Sequence, residues 1–166
     1  VKRLPKAQKK FLNDRLSLEA SVEPRWIVLN DKLLALGGQA IVAYPPYHFS
    51  DRLPNALSRR ARSFDPQGAV MLGGQPGHCH HNTAAMFAKK ELWRFAGRSD
   101  LPKIKIVTGW ALSDDGIWRS HSWGVQRDGT VVETTCPRIG YFGVVLNPEE
   151  SNLLVRRTAR LASRGR

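Results

Sequence analysis

Residues 103–112, KIKIVTGWAL, put Ile104, Ile106, Thr108, Trp110 and Leu112 at every second position. A period of two marks a strand whose faces meet different surroundings. SDDG (113–116) reads as a turn and IWRSHSWGVQ (117–126) as a second strand. Beyond a turn at Asp128-Gly129, TVVETT (130–135) makes a third. Cys136-Pro137-Arg138-Ile139-Gly140 interrupts the pattern, and YFGVVL (141–146) makes a fourth. Neighbours joined by such short turns run antiparallel. The expected frame is an antiparallel sheet of about four strands.

Ahead of this frame lies LGGQPGHC (72–79), rich in glycine with one proline, which predicts a tight loop. NTAAMFAKKELWRFAG follows with helical composition. Ala84, Ala88, Leu92 and Phe95 recur at three- and four-residue spacing, and Gly97 is a stop signal. The loop thus delivers Cys79 to the start of a helix within residues 79–96. A helix packed on an antiparallel sheet gives an α+β class.

The ends differ in character. Residues 1–20 form a basic N-terminal arm with Lys2, Arg3, Lys6, Lys9, Lys10 and Arg15, in which Phe11, Leu12, Leu16 and Leu18 give a short helix an apolar edge. Pro45-Pro46 stops regular structure after the apolar runs of residues 24–47. Residues 50–66 carry Arg52, Arg59, Arg60 and Arg62 on a surface loop or short helix. Residues 148–166 open with proline and two glutamates and end in arginines, the charge order that suits a helix dipole. They are read as a basic C-terminal helix or arm, which leaves 21–147 as the folded domain.

Net charge is +12, and fifteen of the 26 Lys and Arg fall in residues 2–15, 52–62 and 156–166. Such a balance favours an acidic partner, nucleic acid among them. No aromatic interleaving marks a base-stacking platform. No apolar run approaches the roughly 20 residues that span a bilayer, and the first residues lack the apolar core of a secretory signal. Two cysteines make no disulfide framework, so a reducing, cytoplasmic setting is expected.

Cys79 is the residue with chemical promise. A thiolate is the useful nucleophile, and a helix N-terminus favours negative charge. It needs a base, and the base needs an orienting group. His121 on the second strand and Glu133 on the third are available. With a two-residue turn at Asp128-Gly129, His121 and Glu133 point to opposite faces. With a three-residue turn, Arg127-Asp128-Gly129, Trp123 faces Glu133 and His121 lies on the same side, one diagonal step away. That turn needs a residue in the left-handed region, and Gly129 occupies the place. The sequence allows both registers.

The order GxCHxN opening a helix, GW on a strand, HSW on the next, then DGxVVE-T and YFGV, resembles the papain-like and transglutaminase-like thiol enzymes, especially small prokaryotic and phage-type members. The resemblance covers about residues 70–146. It implies a papain-like core within 21–147 and cysteine-dependent acyl chemistry on a protein or peptide amide. Cys79 would be the nucleophile, His121 the base and Glu133 the orienting carboxylate, in a place where the family usually carries Asp or Asn. The Cys79 N–H and the Gln75 side chain would form the oxyanion hole, although the glutamine stands nearer the cysteine than in papain. His80, Trp110 and Trp123 are the expected substrate contacts, the tryptophans alternatively core or cleft wall. Asn82 bonds the loop backbone or caps the helix. No cofactor is expected.

Two other readings compete. A basic module with no chemistry would use the arms alone. A zinc protein would draw on Cys79, His78, His80, His81, His121 and Cys136, but no second spaced pair of ligands accompanies them.

Overall fold

The computed structural model describes residues 2–43, 57, 59–95 and 103–164. Pro45-Pro46, Arg52, Gly97 and Arg166 lie outside the described residues, as do the side chains of Leu92, Phe95 and Arg164. The class is α+β. Among the described residues are four helices: α1 (Lys6–Val22), α2 (Arg25–Ala35), α3 (Cys79–Phe95) and α4 (Pro148–Arg164). Seven strands accompany them: β1 (Ala40–Ile41), β2 (Arg62–Phe64), β3 (Val70–Met71), β4 (Lys105–Leu112), β5 (Ile117–Val125), β6 (Val131–Glu133) and β7 (Gly140–Val145).

The sheet is larger than the four antiparallel strands expected. Its order is β2-β7-β4-β5-β6-β3, with β1 beside β5. It is also mixed, because β1 pairs parallel with β5 and β3 parallel with β6. The four expected strands are β4 to β7. The other three are two or three residues long, too short for any period to show in sequence.

The β5–β6 hairpin has the three-residue turn. Val125 pairs with Val131 and Gly124 with Val132. Gln126 N–H donates to Thr130 C=O at 2.9 Å, which leaves Arg127, Asp128 and Gly129 as the loop. Gly129 N–H closes the turn on Gln126 C=O at 3.2 Å, and its φ is +96°. Only glycine adopts that region without strain. Extending the ladder by one residue sets Trp123 opposite Glu133.

The chain divides into two compact units. The first comprises Val1–Ser63, Gly109–Ser120 and Arg138–Val144. Its core gathers Leu16, Trp26, Leu33, Ile41, Trp110, Leu112, Trp118 and Phe142. Trp26 meets Trp110 edge to face, with centroids 5.5 Å apart. Two of its buried indoles donate to carbonyls: Trp118 Nε1 to Gly37 at 2.7 Å and Trp110 Nε1 to Val42 at 3.4 Å. On α1, Leu12 and Leu16 are buried one turn apart, while Phe11 and Leu18 are 66% and 61% exposed. The apolar edge is therefore the narrower i, i+4 pair.

The second unit comprises Phe64–Thr108, His121–Pro137 and Val145–Arg166. Here α3 packs with α4. α4 opens with a reciprocal cap: Glu150 N–H donates to Asn147 Oδ1 at 2.9 Å, and Asn147 N–H to Glu150 Oε2 at 2.8 Å. Ser151, Leu154 and Thr158 form its buried stripe.

Candidate active site

The second unit assembles its site around a loop. Residues 72–78 leave β3, whose partner β6 carries Glu133, and Leu72 N–H donates to Glu133 C=O at 2.8 Å. Pro76-Gly77 forms a turn closed by His78 N–H on Gln75 C=O at 3.2 Å. The first helical bond of α3 runs from Asn82 N–H to His78 C=O at 2.9 Å. Cys79 is therefore the first helical residue, and its N–H stands outside the helix's own ladder.

Asn82 fixes this loop, as its placement in sequence implied. Its Nδ2 donates to Gln75 C=O at 2.8 Å and to Thr134 C=O at 3.3 Å, and its Oδ1 accepts from Gln75 N–H at 3.3 Å. Gly74 passes so close that a Cβ there would lie 2.4 Å from Thr134 O. One side chain on α3 thus ties the loop before Cys79 to the segment that follows Glu133.

His121 and Glu133 are 1% and 0% exposed. The ring's Nε2 lies 2.8 Å from Glu133 Oε2. The other carboxylate oxygen, Oε1, accepts three bonds: from Thr134 N–H at 2.8 Å, Thr135 N–H at 2.8 Å and Thr135 Oγ1 at 2.9 Å. The extra methylene of glutamate lets one carboxylate reach across to the imidazole and back to its own following backbone. With Nε2 committed to Glu133, the other ring nitrogen is left for the thiol of Cys79, with which His121 is hydrogen bonded. Trp123 stacks on His121 at 6.0 Å and 18°, and Phe64 meets Trp123 edge to face.

Electrostatics follow from this geometry. Burial pushes the Cys79 thiol up, but hydrogen bonds from His121 and His80, with their charge, outweigh it and hold the group at about 5. Burial disfavours a charged His121; bonds to Cys79 and then Glu133 raise it nonetheless. Burial likewise opposes ionisation of Glu133, and His121 followed by Thr135 brings it down to about 2. All three shifts run toward a thiolate beside an imidazolium, itself seated on a carboxylate.

The structure brings together Cys79, His121, Glu133 and His80. Trp110 has no exposed surface and sits in the core of the first unit, so it offers a substrate nothing. Trp123 is also fully buried and backs the imidazole instead of lining an open wall. Gln75 is exposed and is held through its backbone. Among the described residues, no group of three or more His, Cys, Asp or Glu is placed to hold a metal ion. Sequence reasoning missed Ser122, Thr108 and Thr135. Their signal was faint: Ser122 adjoins the proposed base and Thr135 stands two residues after the proposed acid, whereas Thr108 reaches Ser122 only through the folded sheet.

Comparison with known proteins finds no matching family model, no similar curated protein and no similar solved structure. No described helix is long and apolar enough to cross a membrane.

Proposed function

We propose that the chain is a papain-like or transglutaminase-like thiol enzyme acting on a protein or peptide amide through Cys79, His121 and Glu133. The observation that carries this reading is one buried imidazole bonded on one side to a half-buried thiol and on the other to a fully buried carboxylate. Buried charged groups are costly unless each is paired, and this arrangement spends three of them on one sulfur.

In the proposed reaction the Cys79 thiolate attacks the amide carbon and the carbonyl becomes an oxyanion. The Cys79 N–H, and Gln75 if its side chain turns in, donate to that oxygen. His121 gives its proton to the leaving nitrogen as the C–N bond breaks, and a thioester remains. Water or an amine then attacks, with neutral His121 taking its proton, and the thiolate departs. Glu133 holds the ring's orientation and supports its charge throughout.

Incubation with an amide-mimicking electrophile, read by intact mass, tests the reading. One adduct on Cys79, absent in Cys79→Ala, is expected. Equal labelling of Cys79 and the exposed Cys136 would overturn it. The charge of +12 supports a second reading, in which the basic segments hold a polyanion. Heparin retention that falls steeply with salt is its expected outcome, and retention indifferent to salt removes it.

A further inference from the structure

His80 is a second imidazole on the same sulfur. It is half-buried, follows Cys79 directly in α3, and is hydrogen bonded to the Cys79 side chain. Its orientation is fixed from the sheet. His80 Nδ1 lies 2.7 Å from Ser122 Oγ, and Ser122 Oγ donates to Thr108 Oγ1 at 3.1 Å. Thr83, one turn further along α3, donates to Ser122 C=O at 3.0 Å. Both Ser122 and Thr108 are fully buried. A surface histidine beside a cysteine would need no such mount.

We infer that His80 is a positioning residue for the thiolate: held by the Ser122–Thr108 hydroxyl pair, it stabilises ionised Cys79 independently of the proton state of His121. The inference rests on the proposed thiol chemistry for its purpose, not for its test. The proposed cycle has a reason for such a group. His121 loses its proton to the leaving nitrogen, so a single-imidazole site would give its sulfur a charged neighbour for only part of each turnover. A ring that takes no part in proton transfer supplies a constant partner when the thiolate forms and when it is expelled.

Ser122 Oγ thus stands within hydrogen-bond distance of both His80 Nδ1 and Thr108 Oγ1. The titratable groups in contact with this cluster are Cys79 and His121, with Glu133 behind His121. Ser122, Thr83 and Thr108, which hold the ring from the sheet and the helix, are neutral.

The test is the ionisation of Cys79, followed by thiolate absorbance and by iodoacetamide rate against pH in the full chain. His80→Phe keeps a flat ring and removes the donors. Its titration midpoint should rise by about one pH unit, a tenfold lower thiolate-to-thiol ratio at fixed pH. His80→Gln restores an N–H donor and should recover part of that rise. Ser122→Ala leaves the ring but removes its mount and should move the midpoint in the same direction by less, which keeps the inference testable if His80→Phe fails to fold. A wild-type midpoint in both His80→Phe and Ser122→Ala, or in Ser122→Ala alone if His80→Phe does not fold, would overturn it. Because the readout is ionisation, a midpoint that moves in a chain showing no amide chemistry refutes the proposed function and leaves this inference standing.

Discussion

The two units bury different things. Of the nine buried polar or charged residues described, eight lie in the second unit: Thr83, Thr108, His121, Ser122, Glu133, Thr134, Ser151 and Thr158. The first has Ser113 alone, and fills its interior with Trp26, Trp110, Trp118, Leu33 and Phe142. Apolar burial stabilises by area and asks little of geometry. A buried polar cluster gives little net stability, yet every member must be bonded in one arrangement. The first unit is built for cohesion and the second for placement, so substitutions should separate stability from chemistry according to the unit they strike.

The largest effect is expected at His121. Alanine would leave Glu133 buried without its partner, so glutamine, which keeps a donor, is the better change. In the proposed reaction His121→Gln should lower amide turnover on the order of 10⁴-fold. Cys79 alkylation near pH 6 should slow far less, because His80 remains. Equal losses in both measurements would mean that one imidazole does all the work. The counterpart in the first unit is Trp110→Ala, expected to cost about 3 to 5 kcal/mol by denaturant titration. The Cys79 titration midpoint should stay at its wild-type value in the molecules that remain folded. A shifted midpoint would break the division of labour.

Glu133 sharpens the comparison through pH. Its carboxyl is held at about 2, below the ordinary 4.5. A lowered acid contributes stability that is fully present above the unfolded value and is lost as pH falls through the folded one. Wild type should thus lose roughly 3 kcal/mol from this group between about pH 4.5 and 2. Glu133→Gln should lack that part of the acid transition. It should also be weaker at pH 7 by about 1 to 3 kcal/mol, since one amide cannot accept from Thr134, Thr135 and His121 together. Identical acid curves in the two proteins would show that the carboxylate is not held as described.

Much of this was legible in sequence where a pattern was long enough to repeat. The eight-residue strand β4 announced itself by alternation and β5 by the turns that flank it, while the sequence left both hairpin registers open and Gly129 only offered the left-handed place that the three-residue turn needs. The loop-to-helix step at Cys79 came from glycine, proline and the composition that follows. Strands β1, β2 and β3 were not legible, because two or three residues carry no period and their pairing is made by partners far along the chain. The tryptophans misled for a related reason. Residue type tells that an indole is buried or near a cleft, but Trp110 and Trp123 are assigned to core by what packs on them. His80 was visible as a histidine, yet its mount depends on Ser122 and Thr108, which only the folded sheet brings to it.

The smallest effect, and the most local, concerns how the second unit holds its loop. Gly73 and Gly74 are adjacent and neither has a left-handed φ. A Cβ on Gly73 meets nothing within 4 Å, whereas one on Gly74 would lie 2.4 Å from Thr134 O, 2.6 Å from Asn82 Nδ2 and 2.8 Å from Asn82 Cγ. The nearest of these is backbone and cannot turn aside, so the loop must retreat and the Asn82 bond to Thr134 must lengthen. Gly74→Ala should cost about 1 to 3 kcal/mol and slow Cys79 alkylation near pH 6 severalfold, as the start of α3 shifts from His121. Gly73→Ala, the same methyl one residue earlier, should stay within about 0.5 kcal/mol of wild type with its alkylation rate unchanged. If the two variants behave alike, the Asn82 tie does not place the sulfur, and the precision ascribed to the second unit must come from α3 packing on its neighbours alone.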